Sequence, residues 1–196
     1  MRVLVACEES QAVTISMREK GHEAYSCDIQ ECSGGRPEWH IQGDVLEYLN
    51  DGWDMMIAHP PCTHLAVSGM RWFKEGVKPQ YLMDNAVEFF MKLVNAPIEK
   101  IAVENPISIM STRYRKPDQI INPFQFGHPE QKKTCLWLKN LPKLVETDNV
   151  YEYMMTLPLK QRTRIHYLGS NKSKERSKTY IGIAKAMADQ WGGLSK

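Results

Sequence analysis

Cys62 follows Pro60 and Pro61, which follow the apolar run Met55-Met56-Ile57-Ala58. Two prolines fix φ and remove two backbone donors, so a strand through that run must stop there. The thiol then stands just beyond the carboxyl end of a strand, the edge at which open α/β sheets bind ligands. It can serve there as a nucleophile, or as a small buried hydrophobe after a turn. A second reactive group occupies a matching place. The mostly apolar run Lys100-Ile-Ala-Val103 ends at Glu104-Asn105-Pro106. If the two strands are near neighbours, thiol and carboxyl face one crevice, and together they suit covalent attack on an electrophilic ring. Sulfur adds to carbon, while the carboxyl, protonated or sharing a proton, binds the ring nitrogen and takes up developing charge. That task calls for burial to raise the Glu104 pKa. Helix capping or ion pairing is the plainer use of such a carboxylate.

The elements that position these groups alternate along the chain. Met1–Ala6 reads as a first buried strand, Cys7–Gln11 as a loop, and Ala12–Lys20 as a helix with Val13, Met17 and Ser16 inward, closed by Gly21. His22–Cys27 reads as a strand ending at Asp28. A loop holding Gly34, Gly35 and Pro37 follows, then a brief extended segment, Ile41–Val45, and the start of a short helix from Leu46. Trp53–Ala58 is the strand that leads to Cys62. Beyond it, Thr63–Pro79 is long for a connection, as lids and binding loops are. Tyr81–Ala96 has the spacing of an amphipathic helix, with Leu82, Ala86, Phe89, Phe90 and Leu93 on one face. Arg113–Pro129 is largely irregular, Thr134–Leu138 a strand, Leu141–Lys174 weakly periodic, and Thr179–Trp191 a closing helix. The expected fold is α/β, a mostly parallel sheet with helices on both faces. The expected organisation is one domain over 1–196, with a reduced basic segment at 139–178 and a closing segment at 179–196.

With 196 residues, 42% hydrophobic and 24% charged, the chain has an ordinary globular balance, and its net charge of +2 does not itself demand a polyanionic partner. The sign of the charge changes along it. Residues 1–50 carry more acidic than basic side chains, whereas Lys132–Lys178 is basic, an excess suited to phosphate. The five cysteines form no CxxC pair, and Cys27, Cys32 and His40 lack a second ligand pair, so neither a disulfide framework nor a metal site is expected. No leader and no apolar run of membrane-spanning length is evident, so the expectation is a cytoplasmic protein with free thiols and no membrane association.

Three segments, in order, resemble those of the cytosine carbon-5 DNA methyltransferases. Pro60-Pro61-Cys62 with Ser68 looks like their catalytic segment. Glu104-Asn105-Pro106 resembles their Glu-Asn-Val segment, and Phe126–Lys133 followed by a strand is similar to their Tyr-Gly-x-Pro-Gln segment. The resemblance covers roughly the first 140 residues. It implies a Rossmann-like fold, S-adenosylmethionine as cofactor and DNA as partner. By the same resemblance Cys62 would attack carbon 6 of cytosine, and Glu104, with Asn105 beside it, would hold the ring nitrogen and amine. Lys132 or Lys133 would stand for the family's arginines. Asp28 would bind ribose hydroxyls, Asp44 and Val45 would lie by the adenine, and Pro60 would border the cofactor. Asp28 and Asp44 also read as ordinary loop or capping aspartates.

Two departures modify what the resemblance implies. The family's first loop is rich in glycine, whereas Ala6-Cys7-Glu8-Glu9-Ser10 contains none. Cys7, Glu8, Ser10 and neighbouring N–H groups would then hold the cofactor in an altered way, or binding is lost. Only about forty residues separate Leu138 from the last helix, too few for a base-reading domain of the usual size. The expected DNA is therefore single-stranded or read with low selectivity. A free cytidine nucleotide as substrate and a catalytically silent nucleic-acid-binding module are the alternatives. Arg162 and Arg164, with His166, Tyr167 and the cations from Lys172 to Lys178, suit phosphate contact and stacking, or form a solvated face. Arg71, Trp72 and Phe73 could close over a base or pack as a hinge. His59 and His64 flank the thiol and could tune it.

Overall fold

A computed structural model describes residues 1–169 and 172–194. Positions 170, 171, 195 and 196, in the basic and closing segments, lie outside the described residues. The strands are β1 (Arg2–Ala6), β2 (Glu23–Asp28), β3 (His40–Gln42), β4 (Met55–Ala58), β5 (Lys100–Pro106), β6 (Gln119–Ile121) and β7 (Thr134–Lys139). The helices are α1 (Ala12–Glu19), α2 (Arg71–Lys74), α3 (Gln80–Val94), α4 (Met110–Arg113), α5 (Tyr151–Thr156), α6 (Leu159–Arg162), α7 (Ser173–Ser177) and α8 (Ile181–Gly192). All seven strands form one sheet in the order β3-β2-β1-β4-β5-β7-β6. Pairing is parallel from β3 through β5 and antiparallel on both sides of β7.

This is the expected α/β class, a mostly parallel sheet of Rossmann-like order. Strand residues alternate between two apolar layers. Val3, Val5, Met55, Ile57, Ala102 and Leu136 face α1 and α8, where Met17, Met187 and Trp191 are buried. Leu4, Ala6, Met56, Ala58, Val103 and Trp137 face α3, which contributes Phe90 and Leu93. Burial on both sides is why these strands read as continuous apolar runs rather than alternating ones.

The sequence misplaces some boundaries. β5 runs on through Pro106, because β7 pairs with it antiparallel as far as Pro106↔Thr134. Glu104 and Asn105 therefore sit inside a strand and not after one. The segment expected as extended at 41–45 becomes β3 at His40–Gln42, and a single turn of 3-10 helix, Val45–Glu47, replaces the short helix expected from Leu46. The long connection after Cys62 holds a 3-10 turn at Val67–Gly69 and α2. The irregular region near 120 contains β6, whose three residues give too short a run to show a period.

Strand order reverses at β1, which has β2 on one side and β4 on the other. A crevice opens at such a switch point beyond the carboxyl ends. The closing helix reaches this edge through a close approach. A Cβ on Gly182, in the first turn of α8, would strike the Phe126 carbonyl, and the Gly182 N–H donates to His128 Nε2 at 2.9 Å. Gly182→Ala is expected to lower stability by about 1–3 kcal/mol, the usual cost of overpacking. Urea unfolding monitored by circular dichroism measures it, and an unchanged midpoint would refute the contact.

Candidate active site

The register of β4 with β5 pairs Ala58 with Val103, so His59 and Glu104 come next on adjacent chains. Their side chains meet: Nδ1 of His59 lies 3.1 Å from Oε2 of Glu104, with only 8% and 15% of the two side chains exposed. One residue on, Asn105 Nδ2 donates to the Pro60 carbonyl at 2.8 Å. Two side chains of β5 thus hold the His59-Pro60-Pro61-Cys62 turn at successive positions. Burial pushes the Glu104 carboxyl up, but the His59 hydrogen bond and charge outweigh it, with Lys132 adding to them. The carboxyl is held below its usual range. This reverses the expectation that burial alone would raise it. An ionised carboxylate only accepts, so Nδ1 of His59 carries the hydrogen of this bond.

Cys62 and Glu104 line one cavity of about 320 Å³, together with Asn105, His59, Pro60 and Lys132. Burial pushes the Cys62 thiol up, and the Glu104 charge adds to that. Lys132 and Arg176 pull the other way without reversing it. One wall comes from far along the chain. Lys174, Arg176 and Lys178, in and just after α7, line the cavity, and the Lys132 ammonium donates to the Arg176 carbonyl at 2.8 Å.

The other half of the cavity is acidic and is built by the first loop with the end of β2: Cys7, Glu8, Glu9, Ser10, Asp28 and Gln30. The loop turns without glycine by placing Cys7 and Gln11 at φ 59°, in the left-handed region. Such backbone costs about 1–3 kcal/mol per residue and persists only where its surroundings fix it. Here they do. Glu8 folds over the start of α1, accepting from the Val13 N–H at 2.6 Å, the Thr14 N–H at 3.2 Å and the Thr14 hydroxyl at 2.7 Å. The buried Gln11 amide bonds both the N–H and the carbonyl of Arg36, which ties the loop to the one after β2. Gly34 completes this clamp, since a Cβ there would come within 2.6 Å of Gln11 Cβ. The first N–H groups of α1 are thus occupied by the chain's own carboxylate and are not open to a phosphate. Glu9 is 6% exposed, and neither of its carboxylate oxygens has a partner among the described residues.

The structure therefore gathers Cys62, Glu104, Asn105, Lys132, Cys7, Glu8, Ser10, Asp28 and Pro60 around one space. It places others elsewhere. Asp44 caps the 3-10 turn through the Leu46 N–H, and Val45 is buried in the apolar layer beneath α3. Ser68 and Lys133 are exposed outside the cavity, and Arg71 stacks on Trp72. Arg162 Nη1 contacts the Met155 sulfur. Arg164 is ion-paired with Glu130 and Glu175, and so braces α7 rather than facing the cavity. Sequence reasoning missed Glu9, and it placed His59 beside Cys62 where its partner is Glu104. Only the pairing of β4 with β5 reveals it, because that register sets His59, just past β4, beside Glu104 inside β5. Among the described residues no cluster of His, Cys, Asp or Glu could hold a metal ion, and no helix is long and apolar enough to cross a membrane.

No protein-family model matches the chain, and no curated protein does. Among solved structures, the chain is similar to one from E. coli described as a DNA modification methyltransferase encoded within a prophage. The similarity covers 70% of this chain and 46% of that one, at 14% identity and a TM-score of 0.49. The present chain thus spans less than half of that chain's length.

The charges around the thiol make a prediction with opposite signs. Alkylation of Cys62 by iodoacetamide, followed by peptide mass spectrometry, should be slow at pH 7 and rise about tenfold per pH unit, because only the thiolate reacts. At fixed pH, Glu104→Gln should speed it and Lys132→Gln should slow it. The same rate in all three proteins would show that the two charges do not reach the sulfur.

Proposed function

We propose that the protein transfers a methyl group from S-adenosylmethionine to carbon 5 of cytosine in DNA, with Cys62 as nucleophile. The observation that carries this reading is the shared cavity. A thiol, a carboxylate and the cations Lys132, Lys174, Arg176 and Lys178 line one part of it, and acidic groups, among them the unpartnered Glu9, line its β1–β2 side.

The acidic half fits the cofactor. A buried carboxylate with no partner, that of Glu9, suits an ammonium group, and Asp28 can accept from two hydroxyls of a ribose. The capped start of α1 does not suit a pyrophosphate, which argues for a cationic ligand and against a dinucleotide. When bound there, S-adenosylmethionine supplies an electrophilic methyl group.

The residues of the other half act on the base. The Cys62 sulfur bonds carbon 6, and the ring's electrons move toward carbon 5 and the ring nitrogen. Glu104 stands where it can hold that nitrogen and the adjacent amine, and Asn105 Oδ1, buried without a partner, is a further acceptor. Lys132 and Arg176 favour the thiolate form. After carbon 5 has gained its methyl group, loss of the carbon 5 proton restores the ring and expels the sulfur. The target base must leave its stack to enter so enclosed a space. Lys174 and Lys178 at the wall suit the phosphates of the strand that carries it. The short segment between β7 and α8 supports little base reading, so the substrate is DNA of low sequence specificity or single-stranded DNA. Methylation of a free cytidine nucleotide is the second reading, favoured by the same short segment.

Incubation with tritiated-methyl S-adenosylmethionine tests this, with cytosine-containing single- and double-stranded DNA and deoxycytidine monophosphate in parallel. Label should enter DNA with the wild type and fall at least 1000-fold with Cys62→Ala. Label in the nucleotide alone would select the second reading. Equal labelling by Cys62→Ala would remove the covalent mechanism. Cofactor binding without transfer to any of these would leave a silent binding module.

A further inference from the structure

Resting on that reading, we propose that His59 and Glu104 work as one acid, in which His59 is a positioning residue that stores the proton the ring nitrogen takes up. The geometry is the argument. Glu104 is the only carboxylate at the β4–β5 side of the cavity among the described residues, and His59 Nδ1 points at its Oε2 from 3.1 Å. A carboxylate held ionised cannot itself protonate a ring nitrogen. The missing proton has a source one hydrogen bond away. His59 Nε2 is buried without a partner among the described residues, so the bond to Glu104 is the one that orients the ring.

The charged and titratable groups facing His59 are Glu104 from β5 and Glu8 from the loop after β1. Burial holds the Glu8 carboxyl above its usual range, and the charge of His59 is the largest of the effects that oppose this without reversing it. Lys132, before β7, acts on Glu104, and Cys62 lies on the same turn. The Glu104 carboxylate accepts from His59 Nδ1, and Lys132 opposes a resting proton on that carboxylate.

The step balances as follows. The thiolate lone pair forms the S–C6 bond. The C5–C6 π pair becomes a C4–C5 π bond, and the N3–C4 π pair localises on N3. The Nδ1 proton of His59 passes to Glu104 Oε2, and the acid so formed gives its proton to N3, leaving imidazole neutral and carboxylate ionised. Methyl transfer to carbon 5 uses the C4–C5 π pair, the methyl–sulfonium bond breaks with its electrons left on that sulfur, and the N3 lone pair re-forms N3–C4; a water molecule then takes the C5 proton. That electron pair re-forms C5–C6 and expels the thiolate, and the N3 proton returns through Glu104 to His59.

The test is the pH dependence of methyl transfer by the full chain, comparing wild type with His59→Asn, whose amide keeps an N–H toward Glu104 but stores no proton. Addition needs the thiol without its proton and the pair with one. Between those two titrations the wild-type rate is level, and below that of the pair it falls about tenfold per pH unit. In His59→Asn the acid is Glu104 alone, so the rate should drop 10- to 1000-fold near pH 7.5 and its acid fall should begin only in the carboxylate range. The deficit therefore narrows as pH is lowered, with KM changed less than threefold. His59→Gln, which lacks a donor at the Nδ1 position, should show the same narrowing with a larger KM, and serves if the asparagine variant does not fold. A deficit constant with pH in an active, folded variant overturns the proposal and leaves the methyl-transfer reading intact. A wild type that labels no substrate removes the reading and the proposal together.

Discussion

The pairing of β4 with β5 is the constraint on which the site depends. Ala58 opposite Val103 brings His59 to Glu104 and Pro60 to Asn105, and the turn carrying Cys62 is fixed by both contacts. A slip of one residue would turn every side chain of β5 to the other face, moving Glu104 to the side of the sheet packed by α3. The apolar layers forbid that slip, since Val103 and Ala102 are each committed to opposite sides. The polar geometry of the cavity is therefore a product of the packing of valine, alanine and isoleucine beneath it.

The first loop shows how a backbone bend normally given to glycine is carried by other residues. Cys7 and Gln11 accept left-handed conformations, and the hydrogen bonds of Glu8 and Gln11 offset their strain. The side chains that make this possible also change the electrostatics. A glycine loop offers bare N–H groups and favours anions, whereas this one offers carboxylates.

The legible parts of the sequence were those with strong local signals. Continuous apolar runs marked β1, β4 and β5, and helical spacing marked α1, α3 and α8, because burial on a whole face imposes a period. Prolines at 60 and 61 marked where β4 stops, whereas Pro106 sits at the end of β5 and not before it. The β6 strand and the brief helical turns between β7 and α8 were not legible, because three to six residues fit any period and their stability comes from partners distant in sequence. Glu104 could be proposed as reactive from its neighbours, but its ionisation depends on His59, 45 positions away. Arg164 looked like a free cation in a basic run, and only folding brings Glu130 and Glu175 to it.

The elevated Cys62 thiol has a consequence for chemical durability. Hydrogen peroxide oxidises the thiolate far faster than the thiol, and the first product, a sulfenic acid, leads on to irreversible acids. A thiol that rests protonated, within a wall shared with Pro61, His59 and Arg176, gives oxidants little to attack. The other buried thiols follow the same rule, with Cys27 pushed up to about 12 and Cys135 to about 11. The protein thus keeps several unpaired sulfurs near its centre without needing disulfides to protect them.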